Sequence, residues 1–304
     1  MLRSMYSGIS GMKGFQTKLD VIGNNISNVN TYGYKKGRVT FQDMMSQSLS
    51  VAEGPAQDQA GLPLRGGKNP SQVGLGSQVG SIDNIHTQGN RQTTNRPLDL
   101  ALEGDGMFML AEGNNTNSPI SGSDIFINDS NNTFTRSGNF YLDQEGYIVN
   151  SSGKYLVGSS AEAPDGFARL QIPDNAKSFS IASDGSVNYI DSTGSQVTAG
   201  TIKLAKFSNP SGLNKVGANE FEMTDNAGLT GPVEGDNVDG VINALYTPGQ
   251  NGAASVVSGA LEMSNVDLSE EFTEMITAQR GFQANTRIIT TSDEILQELV
   301  NLKR

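Results

Sequence analysis

His86 is the single histidine among 304 residues, and cysteine is absent. Nucleophilic triads, thiolate metal centres and multi-imidazole metal sites therefore have almost nothing to be built from. Standing in a polar stretch, His86 reads as a surface histidine that can offer a metal at most one imidazole. Gly74, Gly76 and Gly80 are spaced GxGxxxG, not the GxGxxG of a dinucleotide loop, and no strand–turn–helix pattern surrounds them. Asp129, Asn131 and Thr133 lack the glycine and the terminal glutamate of a calcium loop. The 32 acidic residues could supply a carboxylate pair for glycoside hydrolysis, but 13 of them precede Gly or Asn, where turns favour Asp for backbone reasons. No catalytic, cofactor-binding or metal-ligating residue is assigned, and no cofactor is expected.

The spacing that does stand out serves packing. Between Asn265 and Arg304, the residues Leu268, Met275, Phe282, Ile289 and Leu296 fall seven apart, and Leu299 extends the apolar surface near the end. Phe272 leads a companion column that turns polar at Gln279, Thr286 and Asp293. A seven-residue apolar repeat marks a helix lying along another helix, because 3.5 residues per turn keeps the stripe on its partner. Asp267 and Glu270 fit a capping box, with Glu271 and Glu274 placed where the helix dipole is positive. At the other end Met5, Met12, Leu19 and Ile26 are again seven apart, with Ile9, Phe15, Ile22 and Val29 in neighbouring positions. Residues 1–30 carry Arg3, Lys13 and Lys18 against Asp20, whereas the C-terminal segment is net acidic. The two termini are predicted to pair as coiled-coil-type helices.

Gly8, Gly11, Gly14 and Gly23 qualify the first helix, since each costs about 1 kcal/mol relative to alanine in a helix interior. They become useful where another backbone approaches closely, and an isolated helix of this composition is expected to order only on assembly. It should stop near Asn30, with a left-handed cap at Gly33. A basic knot of Lys35, Lys36 and Arg38 follows, and from Ser46 to about Gly80 the polar chain reads as extended linker or irregular loop.

Thirty-six glycines with abundant Asn, Ser and Thr suggest short strands joined by tight turns. Asp105-Gly106, Ser137-Gly138, Glu145-Gly146 and Asp184-Gly185 sit between apolar runs; 134–136 and 140–142 read as one hairpin. No helical period separates the strands, which argues against a parallel α/β sheet. The predicted fold is α+β. Its parts are an inner helical module of 1–30 with 265–304, a connector over 31–80 with some β-hairpin, and a mainly antiparallel β domain over 81–264. Polar loops are placed near 113–132 and 226–255. A net charge of −11 argues against nucleic acid and against an anionic membrane face. No run approaches eighteen apolar residues, and the first residues lack the apolar core of a secretory signal.

Longer motifs carry a resemblance. Ser4-Met5-Tyr6-Ser7-Gly8-Ile9-Ser10-Gly11, then Leu19-Asp20-Val21-Ile22-Gly23-Asn24-Asn25-Ile26-Ser27-Asn28-Val29-Asn30-Thr31 with Gly33-Tyr34-Lys35, resemble the N-terminal signature of bacterial flagellar rod and hook proteins. Ser264-Asn265-Val266-Asp267-Leu268, Ala278-Gln279-Arg280-Gly281-Phe282-Gln283-Ala284-Asn285 and Leu296-Gln297-Glu298-Leu299-Val300-Asn301-Leu302 resemble the matching end. Leu98-Asp99-Leu100, Gly104-Asp105-Gly106 and Thr135-Arg136-Ser137-Gly138-Asn139-Phe140 are similar to the family's core β motifs.

The resemblance implies a structural subunit, not an enzyme. The Gln-Arg-Gly-Phe-Gln-Ala-Asn run and the C-terminal residues resemble hook proteins. That implies a hollow, flexible helical tube transmitting motor torque to the filament, with the terminal helices lining its inner layer. Export would run unfolded through the flagellar type III apparatus, without a cleaved signal peptide, to an extracellular hook. Partners would be further copies of the chain, the distal rod, the hook cap and the hook–filament junction proteins. Residues 31–75 would set bending stiffness. The chain's length is closer to that of distal-rod proteins, the alternative within the family. From another class, a secreted adhesin-like β domain is the third reading, and a hydrolase using surface carboxylates the fourth.

Overall fold

The computed structural model describes residues 2–57, 63–112, 132–160, 163–230 and 245–302. The chain forms two compact units, one of Met1–Ser27, Gly37–Asn84 and Asp267–Arg304, the other of Asn28–Lys36 and Ile85–Val266.

In the first unit, α1 (Leu2–Ser27) and α2 (Leu268–Leu302) lie side by side. They run antiparallel: Ser4 meets Ser292, Lys18 meets Glu274 and Asn25 meets Glu271. Asp267 caps α2, its Oδ1 accepting the Ser269 amide at 2.8 Å. The stretch read as linker is not irregular. Gly37–Asp43 pairs antiparallel with Ser77–Asn84, Ser46–Ser50 with Ser71–Gly74, and Ala56–Gln57 with Pro63–Arg65, so the chain runs out and back as one long β arm. Residues 46–49 and Ser71–Gly74 are exposed on both faces, so no alternation of apolar and polar residues announces them.

The second unit is antiparallel β, as the sequence predicted. Its main sheet runs Ser178–Ile181, Ser186–Ile190, Gln196–Ile202, Tyr155–Ser160, Met107–Ala111, Thr133–Thr135, Glu220–Glu222 and Asn214–Gly217 in spatial order. Met107–Ala111 is buried on both faces. Its alternate side chains enter two cores, Phe108 and Leu110 joining Leu100, Phe140 and Leu156, while Met107 and Met109 join Phe134, Phe207 and Phe221. Two of the turn readings hold: Gly185 closes the hairpin of Ser178–Ile181 with Ser186–Ile190 at φ +78°, and Gly146 closes that of Tyr141–Leu142 with Ile148–Val149 at φ +81°.

The hairpin read over 134–142 does not form. Thr133–Thr135 pairs with Met107–Ala111 and Glu220–Glu222, and Tyr141–Leu142 pairs onward with Ile148–Val149. Gly138 instead lets the chain pass against Leu100, whose carbonyl a Cβ there would strike, and Leu100 N donates to Gly138 O at 3.0 Å. The loop expected over 226–255 is partly sheet. Leu229–Thr230 and Leu245–Tyr246 pair with Leu204–Phe207, and Ser255–Ser258 pairs with Leu100–Glu103. The insertion expected near 113–132 lies, but for Asn132, outside the described residues, as do 231–244.

Candidate assembly interface

The seam between α1 and α2 is closer than an apolar heptad alone would make it. A Cβ placed at Gly8 would lie 3.2 Å from Ile289 Cγ1, one at Gly11 2.8 Å from Asn285 Nδ2, and one at Gly281 2.6 Å from Phe15 Cζ. Gly14 makes room for Phe41 of the β arm, 2.9 Å from such a Cβ. Three of the four α1 glycines therefore admit a close neighbour; Gly23 has none within 4 Å. The residues of α2 buried in the seam are Glu271, Ala278 and Ser292. With Asn285 they form a heptad column of small and polar side chains, three positions along from the Leu268 column and one position before the companion column led by Phe272. Asn25 ties this end together. Its side chain accepts Gly37 N at 3.0 Å and donates to Gly37 O at 2.9 Å and to Glu271 Oε2 at 3.2 Å.

The predicted packing residues divide by exposure. Ile22 is buried; Met5, Met12, Phe15, Leu19, Ile26, Met275, Phe282, Ile289 and Leu296 are half-buried along the seam. Ile9, Leu268, Phe272 and Leu299 face outward, Phe272 at 51% and Leu299 at 48% exposure. Other large apolar side chains join them. Leu268, Phe272 and Ile276 make one stripe on α2, and Ile288, Ile295, Leu299 and Leu302 make a second. At 3.6 residues per turn the two lie about 150° apart. Tyr6 and Ile9 on α1, and Phe41, Met45, Leu49 and Val51 on the arm, are exposed as well. Large apolar side chains grouped at the surface in this way mark candidate interaction sites.

The second unit contains a buried ionic knot that the sequence reading missed. Glu262, fully buried, accepts Lys35 Nζ at 2.6 Å and Gly89 N at 2.9 Å on Oε1, and Arg136 Nε at 2.9 Å on Oε2. Lys35 also donates to Thr87 O at 2.8 Å, and the Arg136 guanidinium to the carbonyls of Gly104 and Gly106. Gly33, at φ +69° as predicted, sits so close to Ser137 N that no side chain fits. Asn265 clasps the neighbouring strands, its Oδ1 accepting Lys36 N and its Nδ2 donating to Ile85 O, both at 2.8 Å. Burial holds the Lys35 ammonium below its usual range against the opposing pull of Glu262. His86 is not a surface residue: both ring nitrogens are buried, and its ring lies 5.4 Å from that of Phe221. Desolvation, then Lys35, Lys215 and Arg136, lowers its pKa to about 4. The one available signal for the knot was Glu262 standing between apolar neighbours in a strand.

Comparison with known proteins follows the same segments. Residues 5–35, α1 through Lys35, match the family described as flagella basal body rod protein. Residues 120–189 match the flagellar hook protein FlgE/F/G D1 domain, and residues 257–302 the flagellar basal body rod FlgEFG protein C-terminal. The flagellar basal-body rod protein FlgG of Bacillus subtilis (strain 168) is 49% identical over 304 residues, covering 100% of both chains. The chain belongs to the flagellar rod and hook protein family. Other members are similar over their whole length: FlgG of Borreliella burgdorferi at 33% identity, 100% of both chains, and the hook protein FlgE of that organism at 32%, again 100% of both. The hook alignment runs over 460 positions, so that relative carries segments this chain lacks. The family is structural.

Proposed function

We propose that this chain is a subunit of the distal rod, the drive shaft of the flagellar basal body, polymerising with copies of itself into a tube that carries motor torque. The observation that carries this reading is the alignment with a rod protein over the whole of both chains at 49% identity. The hook assignment, to which the C-terminal motifs pointed first, has less support: the hook relative is 32% identical over an alignment of 460 positions, with segments this chain lacks. In the rod reading the two outward stripes of α2, together with Tyr6 and Ile9, are the surfaces that neighbouring subunits cover. The seam residues Met12, Phe15, Leu19, Ile22, Met275, Phe282, Ile289 and Leu296 hold the helix pair that presents them. Two separate apolar faces on one helix suit contacts with two different neighbours, and head-to-tail contacts that do not close generate helical polymers. Partners are then copies of this chain and the axial proteins below and above it, reached through flagellar type III export.

The test is gold-labelled antibody against residues 81–260 applied to detached hook–basal bodies. Label on the straight segment within the envelope is expected. Label on the curved segment outside it would return the hook assignment.

A further inference from the structure

The second unit holds a cleft of about 230 Å³ lined in part by Lys35, His86, Met107, Arg136, Lys206 and Phe207. Its charge is one-sided. Lys35 and Arg136 share the single carboxylate of Glu262. Among the described residues Lys206 has one long bond, 3.3 Å, to Gly252 O. Lys215, with Nζ 4.8 Å from the Tyr34 ring centre and 3.1 Å from Lys35 O, is the third cation acting on His86 beside Lys35 and Arg136. Asp105, exposed at the edge, is the one carboxylate among the lining residues. In a chain of net charge −11 such a local excess of cations is unusual. Donors are also left over. An ammonium has three N–H groups and a guanidinium five; Lys35 uses two and Arg136 four among the described residues. Both nitrogens of His86 are buried without a hydrogen-bond partner among the described residues. Native structures seldom leave such a donor unsatisfied.

We propose that this cleft is a binding site for a small oxyanion, a phosphate or a carboxylate, drawn in by Lys206 and by the spare donors of Lys35 and Arg136 beside His86. Apolar walls at Met107 and Phe207 lower the local dielectric and strengthen the attraction. A free anion and an acidic side chain of a second copy share this chemistry and are separable by experiment.

His86, as the sole histidine, gives one imidazole Cε1–H cross-peak in carbon–proton NMR of the isotope-labelled full chain, without assignment. Inorganic phosphate is titrated against sodium chloride at matched ionic strength, and the chain is separately diluted without phosphate. A saturable phosphate-dependent shift, absent with chloride and weakened about tenfold in Lys206→Gln by loss of a charge-assisted bond, establishes a site for free anion. A shift that follows protein concentration instead and disappears in Lys206→Gln establishes the acidic side chain of a second copy. If neither titration moves the peak saturably, or if Lys206→Gln leaves the affinity unchanged, the proposal is overturned.

Discussion

Gly281 of α2 lies beneath the ring of Phe15 of α1, so close that an added Cβ would stand 2.6 to 2.9 Å from three ring atoms. The pairing of the two terminal helices depends on this absence of a side chain. Gly281→Val is therefore expected to force the ring aside and to cost about 1–3 kcal/mol, as overpacking does. Its gain in helix propensity over glycine is only a few tenths of a kcal/mol and does not offset that. Thermal unfolding followed by far-UV circular dichroism checks it; an unchanged or higher Tm would show that the ring moves freely.

Gly23 is the contrasting case. It lies in α1 with no atom within 4 Å of a Cβ, so Gly23→Ala gains propensity without a clash. Stabilisation of up to about 1 kcal/mol is expected, read as a higher urea midpoint at unchanged m-value. A destabilised Gly23→Ala would mean that a neighbour packs against the position in solution.

Glu262 balances two buried cations, which makes its charge more valuable than either partner's. Glu262→Gln keeps the shape but leaves Lys35 and Arg136 facing each other, and should cost about 3–5 kcal/mol. Lys35→Met leaves the Arg136–Glu262 pair neutral overall and should cost clearly less. Equal losses in chemical denaturation of the two variants would contradict the assignment of Glu262 as the hub.

His86 makes stability depend on pH in a definite direction. Its folded pKa of about 4 lies below the unfolded value of about 6.5. Above pH 6.5 both states are neutral at this site and the stability is fully present. As pH falls from 6.5 toward 4 the unfolded chain takes up a proton that the folded chain refuses, and at most about 3 kcal/mol is lost. His86→Leu should remove that slope between pH 6.5 and 4.5, leaving only the carboxylates to titrate. A variant with the same slope as the wild type would show that another group controls it.

The two terminal helices were legible because apolar residues recur along them at helical spacing, and α2 ends within two or three residues of where that spacing placed it. Which column lies deepest was not legible. Ala278, Asn285 and Ser292 are small or polar, and close approach through glycine leaves no apolar mark in a sequence. The arm over 37–84 was missed where both of its faces meet solvent, so its period-2 signal has no apolar phase. Ser137-Gly138 misled because a turn dipeptide and a glycine under a crossing strand look alike until Leu100 is placed over it. The Glu262 knot joins residues more than a hundred apart, and no local pattern encodes it. Antiparallel β in the middle of the chain was readable because Asp184-Gly185 and Glu145-Gly146 do close hairpins.

The outward stripes of α2 are tested most directly by Leu268→Asp together with Phe272→Asp. Both positions are exposed in the single chain, and new negative charge in the first turns suits the helix dipole, so the fold should survive. The measurement is electron microscopy of basal bodies from cells carrying only the double variant, with circular dichroism of the purified chain beside it. A folded chain with wild-type spectra and no completed rod is the expected result. Rods of normal length built from the double variant would contradict the assembly role of this face.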